Sequence, residues 1–189
     1  RLQSPVVNTP TLPDTPAQRK PAAGRAEQHS TRLLFLLAGF SAAAWASLVP
    51  VAKAATGVNE GQLGLVLLCL GIGSLLAMPV SGVVSTRHGC RKVLMVCGVA
   101  LCACLPLLAS VQNVFTLAAA LFFFGAMIGT FDCVMNIQAV IVERDSKRPL
   151  MSGFHGFYSL GGLLGAATTS TIMDLGVSPF ATVSAIALA

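Results

Sequence analysis

The chain is short of charge. Only 10% of its 189 residues are Asp, Glu, Lys or Arg, against roughly 25% in an ordinary soluble domain. So little charge excludes a conventional water-facing surface. Tryptophan and tyrosine are scarce too, with one of each, Trp45 and Tyr158. A metal-binding cysteine pattern is missing: Cys102-Ala-Cys104 has no second ligand pair, and residues two apart diverge on a helix. The six cysteines therefore read as small buried hydrophobes in a reducing setting. No nucleophile–base pair or ligand cluster falls on one side of the chain's hydrophobic segments, so neither an enzyme nor a cofactor is expected. What is abundant is apolar: 54% hydrophobic residues and a mean hydropathy of +0.78. These values place the chain among membrane proteins.

A helix needs about 20 apolar residues to cross a hydrocarbon core roughly 30 Å thick. Segments 33–52, 62–83, 93–111 and 114–142 meet that requirement, and 151–172 meets it with some polar content. A sixth, 177–189, is too short to span. The expected fold is an all-α membrane bundle of five complete spans and a truncated sixth. Residues 1–31 differ in kind, with five of the ten prolines and many polar residues. They are expected to form a disordered tail ahead of a bundle at 32–189. They contain no apolar stretch that would make a signal peptide.

Charge placement orients the bundle. Arg1, Arg19, Lys20, Arg25 and Arg32 precede the first span. Arg87, Arg91 and Lys92 lie between the second and third, and Arg144, Lys147 and Arg148 between the fourth and fifth. Lys53 alone lies on the other side. The positive-inside rule then puts the N-terminus in the cytoplasm. The net charge of +5 is explained by this sidedness, and a nucleic-acid partner is not expected.

Within the fourth apolar run stands GTFDCVMNIQAV, residues 129–140. An Asp at the centre of an inserting helix costs about 2.5–3.5 kcal/mol. Flanking residues such as Leu117, Leu121, Phe122, Phe123 and Phe124 each return roughly 0.3–0.6 kcal/mol, so the helix inserts despite Asp132. Asp132 and Asn136 are four apart and share a face, whereas Gln138 points elsewhere. Counting inward from Val142 at about 1.5 Å per residue puts Asp132 roughly 15 Å deep, near the midplane. On the antiparallel fifth span, His155 falls near the depth of Asn136 and Tyr158 near that of Asp132. An intramembrane carboxyl of this kind faces protein or a wet cavity. It suits proton coupling, because its protonation then depends on which side water reaches.

LGIGSLLAMPVS in the second span loosely echoes YSLGGLLGAATT in the fifth, which aligns Gly73 with Gly161. A repeat displaced by three spans is inverted, an arrangement found in many secondary transporters. Gly125-x-x-x-Gly129 and Gly161-x-x-x-Gly165 are spaced for close helix contact.

The connection GVVSTRHGCRK, residues 82–92, resembles the signature loop of the major facilitator superfamily, Gly-x-x-x-Asp-Arg-x-Gly-Arg-Arg/Lys. Gly82, Arg87, Gly89 and Arg91 stand at the matching places; Thr86 replaces the family's Asp and Cys90 its first basic residue after the glycine. The loop's arginines are placed to meet helix C-termini and lipid phosphate. Asp132 and Asn136, with His155, Tyr158, Ser159 and Gly161, are similar to the polar positions of the fucose–proton symporter branch. That branch also has a carboxylate ahead of the first span's proline, which is absent before Pro50.

The resemblance, over about 32–189, implies the N-terminal half of a bacterial inner-membrane transporter with an inverted 3+3 repeat. Implied with it are alternating access, a small polar substrate such as a sugar, coupling to protons at Asp132, Asn136, His155 and Tyr158, and a C-terminal half elsewhere in the same protein. An exporter of amphipathic compounds, or a membrane scaffold or receptor, are the alternative expectations.

Overall fold

A computed structural model describes residues 24–188. Six helices follow in order: α1 (Arg25–Thr56), α2 (Glu60–His88), α3 (Cys90–Ser110), α4 (Val114–Ser146), α5 (Met151–Asp174) and α6 (Pro179–Leu188). No strand occurs among the described residues. Helices α1 to α4 are each long and apolar enough to cross a membrane. Helix α5 is more polar, but its 24 residues make it about 36 Å long at 1.5 Å per residue. The α6 segment, 10 residues, is too short to span.

The first helix begins inside the stretch expected to be a tail. Residues 1–23 of that expectation lie outside the described residues, but Arg25 to Thr31 are helical. Glu27 accepts a hydrogen bond from the N–H of Gly24 at 3.0 Å, which satisfies one of the donors that a helix start leaves open. Thr31 is fully buried, and Gln28 donates to Ser146 at the far end of α4 at 3.2 Å. A polar segment can extend a helix already nucleated by an apolar one, because propagation needs no new nucleus.

The connections are tight. Gly89, at φ 82°, is the single residue between α2 and α3. A side chain is strained at that angle, so glycine is the residue that lets one helix fold directly onto the next. The turn is thus shorter than the expected 82–92. Gly82 lies in the body of α2, where an added Cβ would meet nothing within 4 Å, and Arg87 and Arg91 occupy the flanking helical turns.

Two interfaces hold the bundle, α1 against α5 and α2 against α4. Both depend on glycine. A Cβ on Gly39 would overlap the carbonyl oxygen of Tyr158, and one on Gly161 that of Leu36. A Cβ on Gly125 would overlap the carbonyl of Leu70, and one on Gly73 that of Phe122. The four contacts are two copies of one pattern. Adding 86 carries Leu36 to Phe122 and Gly39 to Gly125; adding 88 carries Leu70 to Tyr158 and Gly73 to Gly161. The α1–α3 and α4–α6 units are therefore repeats, and displacement by three alternating helices inverts one relative to the other. Backbones at this distance gain dispersion contacts that replace the hydrophobic drive missing between helices in lipid.

The core behind these seams is built from Phe35, Leu48, Leu105, Leu121, Met135 and Phe154, each no more than 2% exposed. Trp45 packs into it, tilted against Phe124 at 6.2 Å. Outward, Leu75, Leu76 and Val80 on α2 are each more than half exposed, as residues facing lipid tails are. The cysteines are more varied than expected. All are free; Cys97 and Cys104 are buried, Cys102 is exposed, and the other three are half-buried. The opposite fates of Cys102 and Cys104 follow from their two-residue spacing.

Candidate functional site

Helix α5 brings His155 and Tyr158 within electrostatic range of Asp132 on α4. Phe154 of α5 is fully buried and stacks on Phe35 of α1 with ring centroids 5.6 Å apart. His155 follows, its ring edge-on to the same Phe35 at 5.2 Å. Arg32 lies over the Phe157 ring, 5.9 Å from its centroid, a cation–π contact. These ring contacts to α1 fix the first turns of α5, and with them the height of His155 and Tyr158 opposite α4.

Asp132 and Tyr158 are half-buried and His155 is exposed. Asp132 is close enough to both His155 and Tyr158 to interact electrostatically with each. Both side chains of α5 are thus within electrostatic range of the acid. The Asp132 carboxylate has no hydrogen bond and no ion pair among the described residues; the one ion pair there is Lys53–Glu60, at the α1–α2 connection. Asn136 turns its amide to the helix itself, Nδ2 donating to the Asp132 backbone carbonyl at 2.9 Å. It lines the same face without bonding the carboxylate. Ser159 is likewise turned inward, its hydroxyl donating to the His155 carbonyl at 3.2 Å.

α4 and α5 touch little along their length. Their firmest link is at the basic end, where a Glu143 carboxylate oxygen accepts from the backbone N–H groups of Leu150 and Met151, both at 2.6 Å. Those N–H groups open α5, whose N-cap residue Leu150 supplies no cap of its own. Sequence inspection passes over Glu143, because a cap arriving from the preceding helix leaves no mark at the usual N-cap position.

Two grooves lie elsewhere. One, about 710 Å³, runs between α2, α3 and α4 and includes Val80, Val96, His88 and Lys92. The other, about 990 Å³, lies between α1 and α3, with Gln138 of α4 in its wall. Neither contains Asp132, Asn136, His155 or Tyr158. Gln138 thus points away from the Asp132 face, as its spacing requires. Among the described residues no group of three or more His, Cys, Asp or Glu is placed to hold a metal ion.

The family model for the Major Facilitator Superfamily matches residues 33–189. The chain belongs to the major facilitator superfamily. It is 52% identical over 162 residues to an MFS-type transporter of Yersinia pestis, covering 86% of this chain and 42% of that protein. It is 36% identical to a transporter of Sinorhizobium fredii, over 70% of this chain and 35% of the relative. With the membrane protein MosC of Rhizobium meliloti it shares 33% identity, over 74% of this chain and 34% of the relative. The chain thus spans less than half the length of these relatives. No solved structure matches it. As a superfamily member with four helices of spanning length and composition, it is an integral, multi-pass membrane protein.

Proposed function

We propose that this bundle is the N-terminal half of a proton-coupled secondary transporter for a small polar solute such as a sugar, working by alternating access. The observation that carries the reading is the Asp132 carboxylate. It stands on a spanning helix, half-buried, without hydrogen bond or ion pair among the described residues, beside His155 and Tyr158 of the neighbouring helix. An acid used only to fasten helices would be expected to have its oxygens paired, since an unpaired polar group is costly away from water. An unpaired one is free to take a proton from one side and release it to the other as water access alternates.

In this reading His155 and Tyr158 tune the acid or hold substrate hydroxyls, and Asn136 adds a polar wall. The basic ends of α2, α3 and α4 face the cytoplasm, with the N-terminus on that side of a bacterial inner membrane. The likeness of the polar positions to the fucose–proton symporter branch favours uptake and a sugar. The Asp132 side is completed by a second half, because the relatives extend well beyond the region matched here.

In the full-length protein reconstituted in vesicles, Asp132→Asn is expected to abolish solute accumulation driven by a pH gradient while leaving solute exchange intact. Undiminished accumulation by that variant overturns the assignment of Asp132 as the coupling acid.

A further inference from the structure

The groove between α2, α3 and α4 is not part of the Asp132 face, and its walls are graded. Along most of its length it is lined by apolar or small side chains, among them Leu76, Val80 and Val96. At the basic end it is closed by His88 and Lys92. From Gly73 to His88 the groove follows α2 for about 22 Å at 1.5 Å per residue. One leaflet of hydrocarbon is about 15 Å deep. The groove therefore reaches from headgroup level past the bilayer centre. Its rim residues Leu76, Val80 and Val96 are 59%, 59% and 68% exposed.

Among the described residues the charge at its mouth has no ion-pair partner. No Asp or Glu occurs between Glu60 and Asp132, so α3 and all but the first residue of α2 are without an acid. The described ion pairs include none made by Arg87, Arg91 or Lys92. Glu143, on the adjacent α4 end, is engaged by the N-terminus of α5. His88 uses Nδ1 on the Val84 carbonyl, 3.2 Å away, which leaves its other ring nitrogen for an external partner.

We infer that this groove is a binding site for an anionic phospholipid, with one acyl chain lying along α2 and the phosphate held by Lys92 and His88. An apolar trough of leaflet depth that ends in uncompensated basic groups complements such a lipid in both shape and charge. A zwitterionic lipid would fill the trough but leave the charge unmet. This assignment does not depend on transport or on Asp132.

The test is lipid retention. The full-length protein is purified from membranes containing equal amounts of phosphatidylglycerol and phosphatidylcholine, and bound lipid is counted by native mass spectrometry. The wild type is expected to retain phosphatidylglycerol in preference to phosphatidylcholine. Lys92→Ala should cut that preference about fivefold, the effect of one basic residue at an anionic surface, and Lys92→Arg should keep it. Val80→Trp, which fills the trough at an exposed position, should lower retention of both lipids. Helicity by circular dichroism confirms that each variant is folded. Equal retention of the two lipids by the wild type, or unchanged retention in both Lys92→Ala and Val80→Trp, overturns the site. The second result is also what a groove covered by the rest of the protein would give.

Discussion

The α1–α3 and α4–α6 repeats share a frame and differ in chemistry. Their glycine seams correspond, Gly39 with Gly125 at a displacement of 86 and Gly73 with Gly161 at 88. Their polar residues do not. Subtracting 86 from Asp132 and Asn136 gives Ala46 and Pro50; subtracting 88 from His155 and Tyr158 gives Leu67 and Leu70. One repeat carries an acid, an amide, an imidazole and a phenol where the other carries methyl groups and a proline ring. Backbone approach is decided by seam geometry, which any duplicated pair of helices must keep. The exposed faces are free of that demand, so one copy can hold polar groups while the other remains a hydrophobic brace.

If the frame is shared, equivalent glycines should fail alike. Gly39→Ala and Gly125→Ala each push a methyl into a neighbouring carbonyl group. Overpacking of this kind costs roughly 1–3 kcal/mol, and here the obstacle is backbone that cannot rotate aside. Both variants are expected to lower the thermal unfolding midpoint in detergent by a large and similar amount. Gly82→Ala is the control, since its Cβ meets nothing and alanine gains about 1 kcal/mol of helix propensity. A large loss at one seam with none at the other would break the equivalence of the repeats.

How far these two layers were legible differs for the same reason. Hydrophobic run length located all six helices, because a membrane imposes it directly. Run length could not find their ends. Helix α2 continues to His88, beyond the apolar limit at residue 83, and α1 starts at Arg25, since helices extend into the polar interface that hydropathy discards. The Gly73–Gly161 echo was faint as a string of letters, and the reciprocal contacts give it meaning. Asp132 stood out because an acid in an apolar run is expensive. Antiparallel counting set Tyr158 at its depth and His155 at that of Asn136, but the electrostatic reach of both to Asp132, and its lack of a hydrogen-bonding partner among the described residues, required coordinates. The Glu143 cap and the groove at Lys92 were invisible, because each joins residues on different helices.

A finer contrast lies in how each repeat starts its second helix. Helix α2 is capped from within: Asn59 Oδ1 accepts from the N–H of Gln62 at 2.9 Å, and Gln62 Oε1 accepts from that of Asn59 at 3.0 Å. Helix α5 is capped from the preceding helix, by Glu143. Loss of a cap costs about 0.5–2 kcal/mol, with the upper part of that range suited to two charge-assisted bonds. Glu143→Ala is expected to speed hydrogen exchange at the Leu150 and Met151 amides roughly 5–30-fold and to loosen α4 from α5. Asn59→Ala should speed exchange only within the first turn of α2. Unchanged exchange at Leu150 in Glu143→Ala would remove the cap.

The smallest difference is the Lys53–Glu60 ion pair, which bridges the α1–α2 connection. The second repeat has no version of it: adding 86 to Lys53 gives Ala139, and adding 88 to Glu60 gives Arg148. Side-chain exposure is 34% for Lys53 and 82% for Glu60, so water and salt screen the pair. Exposed pairs contribute about 0–1 kcal/mol. Each partner also sits well for its own helix dipole, Lys53 in the last turn of α1 and Glu60 in the first turn of α2. Single replacement by alanine therefore removes two small effects at once, and only a double-mutant cycle separates them. The cycle is expected to give a coupling of a few tenths of a kcal/mol at low salt that fades toward zero near 1 M salt, where the Debye length is about 3 Å. A coupling above about 1 kcal/mol that persists in salt would mean that this connection is held as firmly as the α4–α5 one, and the contrast between the repeats would then rest on the polar face alone.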